Sequence, residues 1–116
     1  MGNKINVVVY GTLKKGFALH GNMKAIGAKF LKEAKLNGFK MYDYSGWFPA
    51  VVKSDSEEDF VNVEVYETND EGLKRLDSVE GYPSLYQRTK TEEGWMYTMD
   101  PDKVKGKNLI ETGNWK

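Results

Sequence analysis

The sequence contains no cysteine and only one histidine. The first absence excludes a disulfide framework, a thiolate nucleophile and the usual thiolate zinc site. The second removes paired-histidine metal ligation, and any Ser-His-Asp arrangement would have to use His20, which reads as a loop residue. Charge of one sign is also missing. Seventeen Lys and Arg balance seventeen Asp and Glu, so no net field favours a nucleic acid or an anionic membrane surface. No apolar run approaches the ~18 residues of a membrane-spanning helix, and the run before Gly11 is too short for the apolar region of a signal peptide. The alternating Asp/Asn pattern of an EF-hand loop is missing as well. These absences predict a cytoplasmic protein with neither nucleic acid nor membrane as partner.

What is present fits one domain over residues 1–116, a length near the commonest domain size. Seven Tyr, five Phe and three Trp lie mostly in short segments punctuated by Gly, Asn and Asp, as strands joined by turns require. Residues 5–10 form a β-branched run closed by Gly11, suited to a central strand buried on both faces. Leu19, Met23 and Ile26 recur at helical spacing and predict one short helix within residues 17–26. Residues 32–43 read as a long strand with a bulge or bend at Asn37-Gly38, and residues 50–53 as a strand that Pro49 limits at its start. Residues 55–59 read as a solvated acidic loop. Val61, Val63 and Val65 alternate with Asn62, Glu64 and Tyr66, marking a half-buried strand. A helix capped by Asn69 or Asp70 carries Leu73, Leu76 and Val79 and ends at Glu80, before Gly81. Residues 86–91 and 95–99 predict a hairpin, and the tail through Leu109, Ile110 and Trp115 adds an edge. The expected class is mixed α+β: a small curved sheet or β-barrel flanked by one or two short helices.

Two segments carry candidate chemistry. Tyr10-Gly11-Thr12-Leu13-Lys14-Lys15-Gly16 begins where the buried strand ends, and its glycines allow successive backbone N–H groups to form a concavity for a carboxylate or carbonyl oxygen. A Walker-type phosphate loop is excluded, because Gly16 is followed by Phe17 and Ala18 instead of Lys and Ser/Thr. The same segment also reads as an ordinary structural turn. Glu80 ends its helix where carbonyl dipoles disfavour an anion, so its pKa is expected to rise, as suits a general base. Its alternative is an exposed glutamate in a frayed turn. Tyr86 and Arg88 share a strand face and either orient Glu80 or a ligand, or cover the sheet edge. Trp47, Phe48 and Pro49 either wall a pocket or belong to the core.

Three stretches together, Val9-Tyr10-Gly11-Thr12-Leu13-Lys14-Lys15-Gly16, Leu76-Asp77-Ser78-Val79-Glu80-Gly81-Tyr82-Pro83-Ser84-Leu85-Tyr86-Gln87-Arg88, and Trp95-Met96-Tyr97 with Ile110-Glu111-Thr112-Gly113-Asn114-Trp115, resemble the gamma-glutamylcyclotransferase-like superfamily. The resemblance is to its small gamma-glutamylamine cyclotransferase and bacterial AIG2-like branch. It implies a mixed α/β fold around a small barrel, with Tyr10, Gly11, Thr12 and Leu13 gripping the substrate's glutamyl end through backbone N–H groups. Glu80 matches the family's catalytic glutamate, Tyr86 is assigned to the pocket, and Arg88 is read as structural. The implied enzyme releases 5-oxoproline and a free amine from a gamma-glutamyl amine or peptide, an amide-cleaving cyclisation needing neither cofactor nor metal. The chain is shorter than the larger members, so their recognition of the leaving group does not carry over.

The expected partner is then a small gamma-glutamyl substrate, and the chain is expected to be a monomer or weak homodimer. Two other functions compete: a non-catalytic module binding a small carboxylate in the same pocket, and an interaction protein with an exposed aromatic face.

Overall fold

The computed structural model describes residues 4–11, 13–17, 20–46 and 48–115 of the chain. Strand β1 (Ile5–Val9) is followed by helix α1 (Gly21–Ala25), strands β2 (Lys29–Asn37), β3 (Phe39–Asp43), β4 (Pro49–Lys53) and β5 (Phe60–Thr68), and helix α2 (Asp70–Glu80). Strands β6 (Gln87–Thr91) and β7 (Gly94–Thr98), a 3-10 turn (Pro101–Val104) and strand β8 (Asn108–Leu109) complete it. The β-branched run of β1 becomes the middle strand of a five-stranded sheet in the order β2-β5-β1-β7-β6. It pairs antiparallel with β5 and parallel with β7. The second sheet has the order β4-β3-β8.

Directly paired residues share a face of a sheet. Val8, Val65 and Met96 are aligned across β5, β1 and β7, all are buried, and the Met99 N–H reaches the Val51 carbonyl of β4 (2.9 Å). That face of the large sheet therefore lies toward the small one. On the opposite face Tyr97 and Thr68 meet α2: the Tyr97 hydroxyl contacts Leu73 and Asp77, and Gly72 packs so closely that a Cβ there would collide with Thr68 Oγ1. Leu73 and Leu76 supply the buried stripe of α2. The Asn69 side chain accepts the Gly72 N–H (2.9 Å) and so caps its start.

The β-barrel expectation needs correction. The sheets are not closed: β2 and β6 are edges of the large sheet, each paired with one neighbour, and β3, β4 and β8 form a separate sheet. The chain leaves one sheet for the other at Gly38, between β2 and β3, so the residues read as one bent strand divide between two sheets. The irregularity in pairing falls instead at Leu31, between Phe30 and Lys32. Helix α1 is shorter than its apolar spacing suggests. Met23 is buried and Ile26 packs on the core, while Leu19 lies outside the described residues. No helix among the described residues is long and apolar enough to cross a membrane.

Leu76 has 0% of its surface exposed, and its truncation leaves a cavity that α2 and the sheet can only partly fill. Leu76→Ala should therefore cost about 2–5 kcal/mol, read by urea or thermal unfolding, and loosen the helix that carries Glu80.

Candidate functional site

Local backbone chemistry places Glu80 at the end of α2. Gly81 adopts a left-handed conformation (φ 69°), the Gly81 N–H donates to the Ser78 carbonyl (3.3 Å) and the Tyr82 N–H to the Asp77 carbonyl (2.8 Å). This is the double bond pattern of a Schellman stop, which satisfies the last carbonyls of a helix and fixes its exit direction. The Tyr82-Pro83 peptide that follows is cis. Lys103 then ties the loop down by donating to the Ser84 and Leu85 carbonyls (2.7 and 3.0 Å).

Tyr10 arrives at the same place from the end of β1. Its buried hydroxyl donates to the Tyr97 carbonyl (2.7 Å) and accepts the Val51 N–H (3.3 Å). Tyr86, the residue just before β6, donates to the Pro49 carbonyl (2.6 Å). The Pro49 ring in turn lies against Gly11, where a Cβ would stand 2.6 Å from Pro49 Cγ. The Gly11 carbonyl accepts the Lys14 N–H (2.9 Å), closing the turn. Phe48 stacks on Tyr44 (ring centroids 5.2 Å apart) and leans on Tyr86 (6.3 Å).

Electrostatics tie these groups to Glu80. Burial pushes its carboxyl up from 4.5 to about 7. The sequence pointed to a raised value through the helix end, but the cause resolved here is desolvation. Burial also raises the pKa values of Tyr10, Tyr86 and Tyr97, and the Glu80 carboxylate adds to all three shifts. Each of these phenols is therefore protonated at neutral pH. Tyr10 and Tyr86 already spend their protons on backbone carbonyls, so they hold strand ends in place while Glu80 is the group free to exchange a proton near neutrality.

Of the residues singled out in the sequence, Tyr10, Gly11, Glu80 and Tyr86 come together. The Leu13 side chain is buried in the core and its carbonyl accepts from His20 Nδ1 (2.9 Å). Thr12 and Trp47 lie outside the described residues. His20, expected in a loop, lies in the turn at the N-terminal boundary of α1 and makes no side-chain cap hydrogen bond there. Asp77 and Tyr97 were not singled out as site residues. Tyr97 holds the Tyr10 proton through its carbonyl and the Asp77 carboxylate through its hydroxyl (2.7 Å). The available signal was the three-residue spacing of Asp77 and Glu80, which sets both on one helix face. Among the described residues no group of three or more His, Cys, Asp or Glu could hold a metal ion.

A mixed α+β scaffold that sets the Glu80 carboxyl among the buried Tyr10, Tyr86 and Tyr97 side chains defines the class; comparison with known proteins gives the family. Residues 7–116 match the family Gamma-glutamyl cyclotransferase, AIG2-like, and the chain belongs to it. MJ1514 of Methanocaldococcus jannaschii, provisionally named a gamma-glutamylcyclotransferase, is 35% identical over 95% of this chain and 94% of its own length. PH0828 of Pyrococcus horikoshii, similarly named, is 33% identical over 90% of this chain and 86% of its own. The PH0828 crystal structure matches with a TM-score of 0.73 at 30% identity, covering 95% of this chain and 88% of that one. An AIG2-like protein from Mus musculus shares the fold, with a TM-score of 0.77 at 24% identity over 98% of this chain and 89% of its own.

Because Pro49 occupies the space of a Cβ at Gly11, Gly11→Ala should shift Pro49 and with it the acceptor of the Tyr86 hydroxyl. Thermal unfolding is expected to report a loss of about 1–3 kcal/mol, typical of overpacking.

Proposed function

We propose that this protein cyclises a gamma-glutamyl amine or gamma-glutamyl peptide to 5-oxoproline, releasing the amine, with Glu80 as general acid and base. The observation that carries this reading is one carboxyl with a pKa near 7 set beside Tyr10 and Tyr86. Family membership supports the general cyclotransferase class.

Ionised Glu80 takes a proton from the substrate's α-ammonium group. The freed amine attacks the gamma carbonyl carbon of the same molecule, forming the ring C–N bond and a tetrahedral oxyanion. That oxyanion collapses, the bond to the departing nitrogen breaks, and Glu80 returns its proton to the amine. One carboxylate thus serves both transfers, and a pKa near the working pH suits a group that must both accept and donate. Nucleophile and electrophile belong to one substrate, so the protein's main tasks are to fold that substrate for attack and to shelter the oxyanion. Backbone N–H groups of the Tyr10, Gly11, Thr12 and Leu13 turn suit the glutamyl carboxylate or the oxyanion.

A panel of gamma-glutamyl amines and dipeptides, assayed for 5-oxoproline beside Glu80→Gln, tests the reading. The wild type is expected to release 5-oxoproline from at least one member, and the variant, lacking a proton acceptor, to lose ~100-fold or more of that rate. No release by the folded wild type from any member would favour the carboxylate-binding alternative. The pH dependence has a definite sign. Protonated Glu80 is not a base, so kcat/KM should rise with pH and level off above a midpoint near 7.

Folding stability should respond in the opposite sense. The folded carboxyl, at about 7 against 4.5, holds its proton more tightly than the unfolded one, so this contribution is complete below 4.5 and falls away as pH rises through 7. Glu80→Gln, which is never ionised, should therefore gain thermal stability over the wild type at pH 8 and lose that advantage at pH 4.

A further inference from the structure

Glu80 needs to be held in place, yet no ion-pair partner is recorded for it among the described residues, and such a partner would favour the ionised form and pull its pKa down. Its position must come through neighbours. The residues flanking it in the chain meet at Arg88. Arg88 Nε lies 3.4 Å from Asp77 Oδ1, on the last turn of α2, three residues before Glu80. Arg88 Cζ stands 4.5 Å from the centroid of the Tyr82 ring, two residues after Glu80, and 5.3 Å from that of Trp95 on the adjacent strand β7. Asp77 Oδ1 also accepts the Tyr97 hydroxyl (2.7 Å), while its backbone carbonyl accepts the Tyr82 N–H (2.8 Å). The cluster is substantially buried, with the side chains of Arg88 and Asp77 only 22% and 17% exposed. Arg88 Nε has no hydrogen-bond partner of normal geometry, an uncommon cost for a buried cation unless its place serves something else.

We propose that Arg88 is the positioning residue of Glu80: by pairing with Asp77 and stacking on Tyr82 it clamps the helix end on both sides of the carboxylate and fixes where that carboxylate sits. This rests on Glu80 being the acid/base group. Lysine cannot replace it, because an ammonium has no plane to lie against two rings and no fork to span from Asp77 to them. Tyr10, Tyr86 and Tyr97, all uncharged at neutral pH, interact electrostatically with Glu80, and the charges of the clamp itself are those of Asp77 and Arg88. Arg88→Lys keeps that charge balance, so any change it makes at Glu80 is positional.

The deciding measurement is a 13C NMR titration of the Glu80 side-chain carboxyl in the wild type and in Arg88→Lys. A midpoint near 7 in the wild type is expected to fall in the variant as the loosened carboxyl gains water. Arg88→Met, which keeps the apolar contact, and Asp77→Asn, which keeps an acceptor for Tyr97, show whether the fold survives by their cooperative unfolding. In the active protein, Arg88→Lys should lower kcat by about tenfold or more and leave KM within about threefold, because displacement of the base by a fraction of an ångström acts on the chemical step. An unchanged Glu80 midpoint in folded Arg88→Lys overturns the proposal, whether or not the wild type releases 5-oxoproline. A wild type without activity, by contrast, counts against the proposed reaction, and the titration still decides the clamp.

Discussion

The Tyr10 hydroxyl is the point on which the site depends. It donates to the Tyr97 carbonyl of β7 and accepts the Val51 N–H of β4, so one oxygen joins the end of β1 to both sheets. A buried hydroxyl with its donor and acceptor capacity both used resists displacement, since breaking either bond leaves an unsatisfied polar group costing about 1–3 kcal/mol. Tyr86 repeats the device on the Pro49 carbonyl, and Pro49 presses against Gly11. The turn after β1 is therefore held by side chains from distant parts of the chain.

Glu80 gains its character from that same crowding. Protein atoms remove water from the carboxyl and push it up to about 7, whereas Tyr10, Tyr86 and Tyr97 are pushed further from neutrality and remain protonated. Burial thus separates the roles: phenols fasten strand ends, and the carboxyl titrates. The neighbouring Asp77 carboxylate pairs with Arg88 and accepts the Tyr97 hydroxyl, so it is tied into the scaffold three residues before Glu80. Two carboxyls on one helix face acquire different duties through what packs against each.

Much of this was legible in the order of residues. The β-branched run of β1, the alternation Val61, Val63 and Val65, the Asn69 cap and the Gly81 stop are local signals, and local signals need no tertiary context to act: periodicity sets which face is apolar, and capping chemistry sets where a helix begins and ends. Glu80 was legible for a related reason, as a carboxylate placed where helix ends ordinarily carry a cation. The division of residues 32–43 between two sheets was not, because a glycine such as Gly38 permits a bulge, a bend or a departure alike, and the available strand partners decide among them.

The amino-acid sequence alone thus determined strands such as β1 and β5, the Asn69 cap, the Gly81 stop and the carboxylate at the end of α2, because each follows from chemistry within a few neighbouring residues. Only the tertiary structure decided that the sheets stay open, since closure depends on whether β2 and β6 meet. Tertiary structure alone also brought Asp77, Arg88 and Tyr97 together at the last turn of α2, and made desolvation the cause of the raised Glu80 pKa. Such properties belong to the distances between segments far apart in the chain, and no local pattern encodes them.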